Sequence, residues 1–170
     1  DYAMSVWGGE QTCGIGVATA NSPQGPFTDH GKMFRSNEIG VQNSIDPSLL
    51  QYEGRNYLVW GSFRGIYVIE LTADGLSIMP GAKKKRIAGT AFEAVYIHKH
   101  DDYYYMFASI GSCCQGVKST YKVVVGRSKK VWGPYKDKTG KPMLKNGYSL
   151  VIGANDHFVG NGHGSQIIRD

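Results

Sequence analysis

One strand pattern recurs three times along the chain. The segments YAMSVWG (2–8), YLVWGSF (57–63) and YYMFASI (104–110) each begin with tyrosine, continue with apolar residues and end near glycine or serine. Other short apolar runs, bounded by Gly, Asn and Asp, fill the rest of the chain without a sustained helical period. Apolar runs of this length are typical of β-strands. The sequence therefore predicts an all-β protein.

A second repeat gives the length of the unit. GIGVATANSPQGPFTDHGKMF (14–34) matches YKVVVGRSKKVWGPYKDKTGKPML (121–144) in a strand, a serine-containing turn, Gly-Pro-aromatic, a polar turn and a closing apolar residue. The two Gly-Pro turns, at Gly25 and Gly133, lie 108 residues apart, with one further tyrosine strand between them. The unit is therefore about fifty residues long, and such a unit with four short strands is typical of a β-propeller blade.

Composition indicates a folded domain and argues against several classes of protein. Of the 170 residues, 41% are hydrophobic, and the formal net charge is +5. Part of this charge lies in the run KKKR (83–86), which we expect to be a solvated loop rather than a nucleic-acid site, because no basic helix, zinc pattern or aromatic platform accompanies it. No run approaches ~18 apolar residues, so we predict no membrane span. The first residues are predicted as strand and do not form a signal peptide.

Three polar residues enter apolar strands at comparable places. Asp46, in NSIDPSLL (43–50), and Glu93, in GTAFEAVYI, each stand 11 residues before the tyrosines at 57 and 104. The equal spacing predicts equivalent positions on the innermost strand of two blades, and His163, in GNGHGSQII, would begin the next blade. We expect the three side chains to face one central channel. The alternative is that each is satisfied separately at the start of its strand.

Two carboxyl groups across one pocket suit the cleavage of a glycosidic bond. That reaction needs one protonated acid for the leaving oxygen and an ionised group elsewhere in the site. The apolar neighbours of Glu93 favour its protonated form and the role of proton donor. We expect Asp46 to be better placed to stay charged.

At these residues the chain resembles a known family. VQNSIDPSLL, YLVWGSFRGIYVIEL, AGTAFEAVYI, YYYMFASIGSCCQGVKSTYKVVVGRS and VGNGHGSQII together are similar to the endo-α-1,5-L-arabinanases of glycoside hydrolase family 43. The resemblance covers nearly the whole chain. It implies a five-bladed β-propeller, of which this chain would hold about three blades: outer strands over 1–40, blades over 41–88 and 89–147, and the start of another over 148–170. It also implies inverting hydrolysis of arabinan, a plant cell-wall polysaccharide.

The resemblance implies a role for each candidate residue. Glu93 is the general acid, and Asp46 is a third carboxylate that orients this acid and tunes its ionisation. His163 helps to hold a hydrated calcium ion on the axis; no organic cofactor is implied. The sugar contacts implied or considered are Asn43, Ser44, Ser62, Trp7, Cys113 and Cys114. The general base of the family is an aspartate of the first blade, and neither Asp1 nor Asp29 fits that role, so we expect the base and the other blades to come from outside this chain.

Two features leave alternatives open. The neighbouring Cys113 and Cys114 form either a strained disulfide in a rigid loop, which would imply a secreted or periplasmic protein, or two reduced buried thiols. The resemblance implies that this loop lies at the substrate cleft. Trp7 either stacks on a sugar or packs between blades. The function itself has two alternatives, an exo-acting α-L-arabinofuranosidase or β-xylosidase of the same family and a glycan-binding propeller without catalysis.

Overall fold

The computed structural model of the chain describes residues 9–164 and is almost entirely β-structure. The first tyrosine segment (2–8), with Trp7, lies outside the described residues, as does Asp1. The strands of the described part are β1 (Gly14–Thr19), β2 (Thr28–Arg35), β3 (Ser48–Tyr52), β4 (Arg55–Trp60), β5 (Ile66–Glu70), β6 (Lys85–Ala88), β7 (Glu93–His100), β8 (Tyr103–Ile110), β9 (Lys122–Ser128) and β10 (Ser149–Ile152). A short helix, α1 (Ser36–Ile39), and 3-10 turns at Gly9–Gln11, Gly116–Lys118 and Met143–Lys145 connect them.

The strands form antiparallel sheets in chain order. β1 pairs with β2, and β3–β6 and β7–β10 each form a four-stranded sheet in which every strand pairs with the next. The tyrosine strands at 57 and 104 are β4 and β8, the second strand of each complete sheet. The turns at Gly25 and Gly133 each join the last two strands of a sheet. The prediction of an all-β protein built from four-stranded units is therefore confirmed.

The sheets stack face to face because their middle strands are apolar on both faces. Leu58 and Trp60 of β4 pack in one core with Phe34 of β2, whereas Val59, which points the other way, packs in a second core with Met106 of β8. Each fully buried side chain of this size contributes roughly 1.5–3 kcal/mol. A strand that is buried on both faces reads as a continuous apolar run, which is why LVW in β4 shows no alternation.

This stacking produces consecutive blades of a β-propeller. The first strands of the two complete blades, β3 and β7, pack against each other. These strands are at the edges of their sheets, and the other edges, β6 and β10, lie on the opposite side. The prediction that the segments containing Asp46 and Glu93 lie next to each other is therefore confirmed.

Two details of the predicted organisation were wrong. β10 pairs with β9, so the blade predicted to end at residue 147 extends to Ile152. The reason is the long connection between β9, which ends at Ser128, and the fourth strand β10, which begins only at Ser149. The basic run is not simply a loop, because Lys85 and Arg86 begin the edge strand β6. Charged side chains on an edge strand discourage pairing with other chains. Within residues 9–164 no helix is long and apolar enough to cross a membrane.

Candidate active site

Asp46 lies at a β-bulge just before β3. The N–H of Gly61 donates a hydrogen bond to the carbonyl oxygen of Ile45 at 3.0 Å, whereas Ser48 pairs with Val59. From Ile45 to Ser48 the first strand therefore advances by three residues, while β4 and the residue after it advance by only two. The first strand has one extra residue here, and Asp46 has a φ of 57°. A bulge of this kind re-aims the side chains next to it.

The next blade repeats this bulge one residue away from Glu93. Glu93 pairs with Ser109, and Tyr96 pairs with Phe107. β7 therefore advances by three residues where β8 advances by two, and Ala94 has a φ of 50°. The pair next to the turn is Tyr52 with Arg55 in one hairpin and His100 with Tyr103 in the other. Asp46 and Ala94 stand the same number of residues before Tyr52 and His100, so they are equivalent positions.

This register corrects the predicted equivalence of Asp46 and Glu93. Tyr57 of β4 matches Tyr105 of β8 rather than Tyr104, because the two hairpins differ by 48 residues rather than 47. The equal spacing of 11 residues was therefore a coincidence of three consecutive tyrosines. The two carboxylates meet because neighbouring strands at successive bulges bring them together, not because they occupy one repeated position.

Glu93 is held by a buried serine. Its side chain is 9% exposed, and Ser62, which follows β4 and is 1% exposed, donates its hydroxyl hydrogen to Oε2 of Glu93 at 2.7 Å. Phe92, directly before Glu93, is completely buried, and its carbonyl accepts the N–H of Phe63 at 2.9 Å. The candidate acid thus has one fixed donor and apolar surroundings.

Asp46 is bound to the same strand through the backbone. The N–H of Ala94 donates to Oδ2 of Asp46 at 3.0 Å. Burial raises the pKa of Asp46 above its ordinary value, and the neighbouring Glu93 carboxylate raises it further; the Ala94 N–H and His163 act in the opposite direction. These surroundings make Asp46 harder to ionise than an exposed aspartate, and the expectation that it stays charged remains a prediction.

A cavity of about 220 Å³ joins Asp46 to the segment after β10. His163, whose side chain is exposed, lines it together with Asp46 and Ala94, and the N–H of His163 donates to the buried Ser109 hydroxyl at 2.7 Å. The structure therefore brings Asp46, Glu93 and His163 to one region. Three of the residues that line the cavity, Asp46, Ala94 and His163, have positive φ values, a form of backbone strain that is frequent at functional sites.

The described residues do not by themselves fit a calcium site. Within residues 9–164 no three His, Cys, Asp or Glu side chains come together in a group that could hold a metal ion. Calcium prefers six to eight oxygen ligands, and His163 offers an imidazole nitrogen.

Two of the predicted sugar contacts are internal. Ser44 is fully buried, donates its hydroxyl to the carbonyl of Val41 at 2.8 Å and accepts the Trp60 indole N–H at 3.0 Å. Its prediction as a sugar contact is wrong, because both roles of its hydroxyl are used inside the core. Ser62 is likewise occupied, since its hydroxyl binds Glu93.

The other predicted contacts lie in different settings. Asn43 is half-buried and donates its amide to the Ser62 carbonyl at 3.1 Å, so it supports the loop that carries Ser62. Cys113 and Cys114 form a disulfide and are exposed, which agrees with the oxidised pair rather than with buried thiols. Ser109 and Tyr121 were not predicted from the sequence. Their positions near Glu93 become visible only once the pairing of β7, β8 and β9 is known.

Comparison with known proteins gives the family. The model of glycosyl hydrolases family 43 matches residues 2–170. The chain is 38% identical to the extracellular endo-α-(1→5)-L-arabinanase 1 of Bacillus subtilis, over 99% of this chain and 53% of that protein. It is 39% identical to an extracellular exo-α-(1→5)-L-arabinofuranosidase of Cellvibrio japonicus, over 99% of this chain and 55% of that protein.

A solved structure gives the same result. The α-L-arabinanase of Cellvibrio cellulosa in complex with arabinohexaose matches with a TM-score of 0.83 and 35% identity, over 92% of this chain and 56% of that one. The chain thus spans about half the length of the curated relatives it matches. It has the five-bladed β-propeller fold of these proteins, of which it contains about three blades. Fold, site and similarity together show that the chain belongs to glycosyl hydrolase family 43.

Proposed function

We propose that this chain is part of a glycoside hydrolase that cleaves α-1,5-linked L-arabinan with inversion. The observation that carries the proposal is the meeting of Asp46 and Glu93 on adjacent inner strands of two blades. The names of the relatives support the substrate, since they describe an arabinanase and an arabinofuranosidase acting on α-(1→5)-linked arabinose. The solved complex with arabinohexaose points to the same class of sugar.

Glu93 acts as the general acid in this mechanism. Its proton passes to the glycosidic oxygen as the bond from the anomeric carbon to that oxygen breaks. A water molecule adds to the opposite face of the anomeric carbon, and a general base takes the proton of that water, so the configuration inverts. Ser62 fixes the orientation of the acid before and after the transfer.

Asp46 acts on the acid rather than on the sugar bond. When it is ionised, its negative charge next to Glu93 favours the protonated acid, because two neighbouring carboxylates resist simultaneous ionisation. The Ala94 hydrogen bond holds Asp46 at the strand that carries Glu93.

The general base comes from a part of the protein not contained in this chain. Asp29, the nearest alternative by sequence, is exposed in β2 and accepts the N–H of Gly31 at 2.7 Å, away from the carboxylate pair. The other blades would also pack on the free face of the β7–β10 sheet, because the blades of a propeller stack face to face. Leu150 and Ile152, which project to one face of β10, are exposed in the described part.

The decisive experiment is hydrolysis of linear α-1,5-arabinan by the full-length protein. Proton NMR of the first product formed should show the β-anomer, as inversion requires. The matched variant Glu93→Gln should leave the polymer intact. If the first product were the α-anomer, or if arabinan were not cleaved at all, the proposal would be refuted.

Exo action is the second candidate. The chain is 39% identical to an exo-arabinofuranosidase and 38% identical to an endo-arabinanase, so sequence similarity supports both modes of cleavage equally. Product size separates the two: endo cleavage yields a range of oligosaccharides at early times, whereas exo cleavage yields one short product. A glycan-binding propeller without catalysis is the outcome if arabinan is bound but not cleaved.

We also propose that the protein is secreted or periplasmic. Two relatives are named as extracellular, and the Cys113–Cys114 disulfide requires an oxidising compartment to persist. Cell fractionation of the source organism tests this location. The hydrated calcium ion near His163 remains a prediction, which metal analysis of the full-length protein tests directly.

A further inference from the structure

Tyr121 has an unusual hydroxyl group. The residue lies directly before β9 and is 4% exposed. Among residues 9–164, its Oη is the one buried side-chain nitrogen or oxygen that makes no hydrogen bond. Buried polar groups are normally paired, because an unpaired one costs about 1–3 kcal/mol. An unpaired hydroxyl in a closed setting therefore suggests a partner that is met in another state of the site.

Strand pairing places this hydroxyl beside the candidate acid. Glu93 pairs with Ser109, and Ser109 pairs with Val123 on β9. Tyr121 stands two residues before Val123, and side chains two residues apart on a strand project to the same face. Tyr121, Ser109 and Glu93 therefore share one face of the blade: Tyr121 is diagonal to Ser109, and Glu93 lies on the far side of Ser109, one strand further on.

Electrostatics agree with this placement. Burial raises the pKa of Tyr121 far above its ordinary value, and the Glu93 carboxylate raises it further, against a smaller opposite effect of the Ser109 hydroxyl. Tyr121 thus remains a protonated donor over the whole working range of an enzyme. The carboxylate and the hydroxyl act on each other, although they form no well-aligned hydrogen bond in this conformation.

The ring of Tyr121 is fixed in its position by the segment after β10. A Cβ added to Gly162 would lie 2.0 Å from Cδ1 of Tyr121, so only glycine leaves room for the ring at this crossing. The next residue, His163, donates its N–H to Ser109 and closes the segment over the same face. The ring of Tyr121 is therefore packed against the backbone of this segment and is buried there.

We propose that Tyr121 is a positioning residue of the candidate acid, whose hydroxyl donates a hydrogen bond to the Glu93 carboxylate once its proton has passed to the leaving oxygen. The inference rests on the proposed function and extends it. Hydrogen bonds to an ionised acceptor are about twice as strong as neutral ones, so Tyr121 stabilises the acid mainly after proton transfer, when charge has developed on it. Ser62 then holds one side of the carboxylate and Tyr121 the other.

The ionisable groups around this carboxylate come from three segments. Asp46 faces it from the segment before β3, Tyr121 from the start of β9, and His163 lies across from Asp46 after β10. Asp46 disfavours the ionised form of the acid, whereas Tyr121 favours it. Removing Asp46 and removing Tyr121 should therefore shift the basic limb of the kcat/KM profile in opposite directions.

The test is Tyr121→Phe in the full-length protein, which keeps the ring against Gly162 and removes only the donor. We expect kcat on arabinan to fall by about tenfold, with little change in KM, because the lost bond belongs to the transition state. The basic limb of the kcat/KM profile should move to higher pH by roughly half to one pH unit, since the ionised acid has lost a donor.

Tyr135→Phe is the matched control. Tyr135 is buried to the same degree, but its hydroxyl donates to the carbonyl of Val131, away from the carboxylate pair. This variant should lose stability and keep the position of the basic limb. If Tyr121→Phe behaved like Tyr135→Phe, with an unmoved limb, Tyr121 would be a purely structural residue and the proposal would be overturned.

A second measurement separates this proposal from the proposed function. If the wild-type protein did not cleave arabinan, the function would fail, but carbon-13 NMR of the labelled Glu93 carboxyl group would still test Tyr121. The carboxyl group should titrate at higher pH in Tyr121→Phe than in the wild type. Identical titration curves would overturn the role of Tyr121 whatever the substrate is.

Discussion

The backbone N–H of Ala94 donates a hydrogen bond of 3.0 Å to the carboxylate of Asp46, and this bond joins the first strands of two successive blades. Both residues occupy the extra position of a β-bulge, with φ values of 50° and 57°. The bulges turn an interface between sheets into a polar site, because they aim a carboxylate of one blade at the backbone of the next.

Asp46→Asn should stabilise the protein more at neutral pH than in acid. The pKa of Asp46 is raised in the folded state from its ordinary value of 3.8, so folding loses stability as the pH rises above that value. An asparagine oxygen still accepts the Ala94 N–H and carries no charge. Urea unfolding of variant and wild type at pH 3 and pH 7 should therefore show a more favourable difference at pH 7.

Asp137→Asn provides a control of opposite sign. The hydroxyl of Thr139 and the N–H groups of Thr139 and Lys141 lower the pKa of Asp137, whose carboxylate contributes stability above its unfolded pKa. Its replacement should cost more at pH 7 than at pH 3. Equal differences at the two pH values for Asp46→Asn would contradict the burial of this carboxylate.

The same Asp46→Asn variant should move the basic limb of the kcat/KM profile to lower pH. Removal of a neighbouring negative charge makes the ionised form of the acid easier to reach, so the proton donor is lost at lower pH. Initial rates on arabinan between pH 4 and pH 9 provide the measurement. A limb that stayed in place would show that Asp46 does not act on Glu93.

Glu93→Gln should reduce turnover strongly on substrates with poor leaving groups. General acid catalysis contributes on the order of 10²- to 10⁴-fold, and an amide cannot donate the proton. An activated aryl α-L-arabinofuranoside needs little protonation and should lose much less, while binding of arabinan stays nearly unchanged. Equal losses on both substrates would mean that Glu93 has another role.

Much of the fold could be predicted from the sequence because buried strands and turns are local patterns. The tyrosine strands β4 and β8 and the turns at Gly25 and Gly133 gave the period of the blades. The register at the site could not be predicted, because the consecutive tyrosines 103–105 left the alignment of β8 with β4 ambiguous by one residue, so Asp46 was matched with Glu93 and not with Ala94. The partners of Ser44 and Tyr121 are equally non-local: only the folded chain shows that one serine caps Trp60 and that the tyrosine faces Glu93.

Ser44→Ala should reduce stability without affecting catalysis per folded molecule. The variant leaves the buried Trp60 indole N–H without its acceptor, which costs about 1–3 kcal/mol. Ser22→Ala is the control, because this exposed hydroxyl bonds only to the side chain and the N–H of Gln24, and its loss should stay within about 0.5 kcal/mol. A raised KM for Ser44→Ala at full folding would restore Ser44 as a sugar contact.

The Cys113–Cys114 disulfide should affect the substrate cleft more than the stability of the fold. A bond between neighbours closes almost no loop, so it removes little entropy from the unfolded chain, and both residues are exposed. Replacing both cysteines by serine should leave Tm nearly unchanged. If the loop contacts arabinan, as the family resemblance implies, KM should rise about fivefold, which corresponds to about 1 kcal/mol of binding. Dithiothreitol should reproduce this change in the wild type and have no effect on the double variant. An unchanged KM in both experiments would remove the pair from the list of substrate contacts.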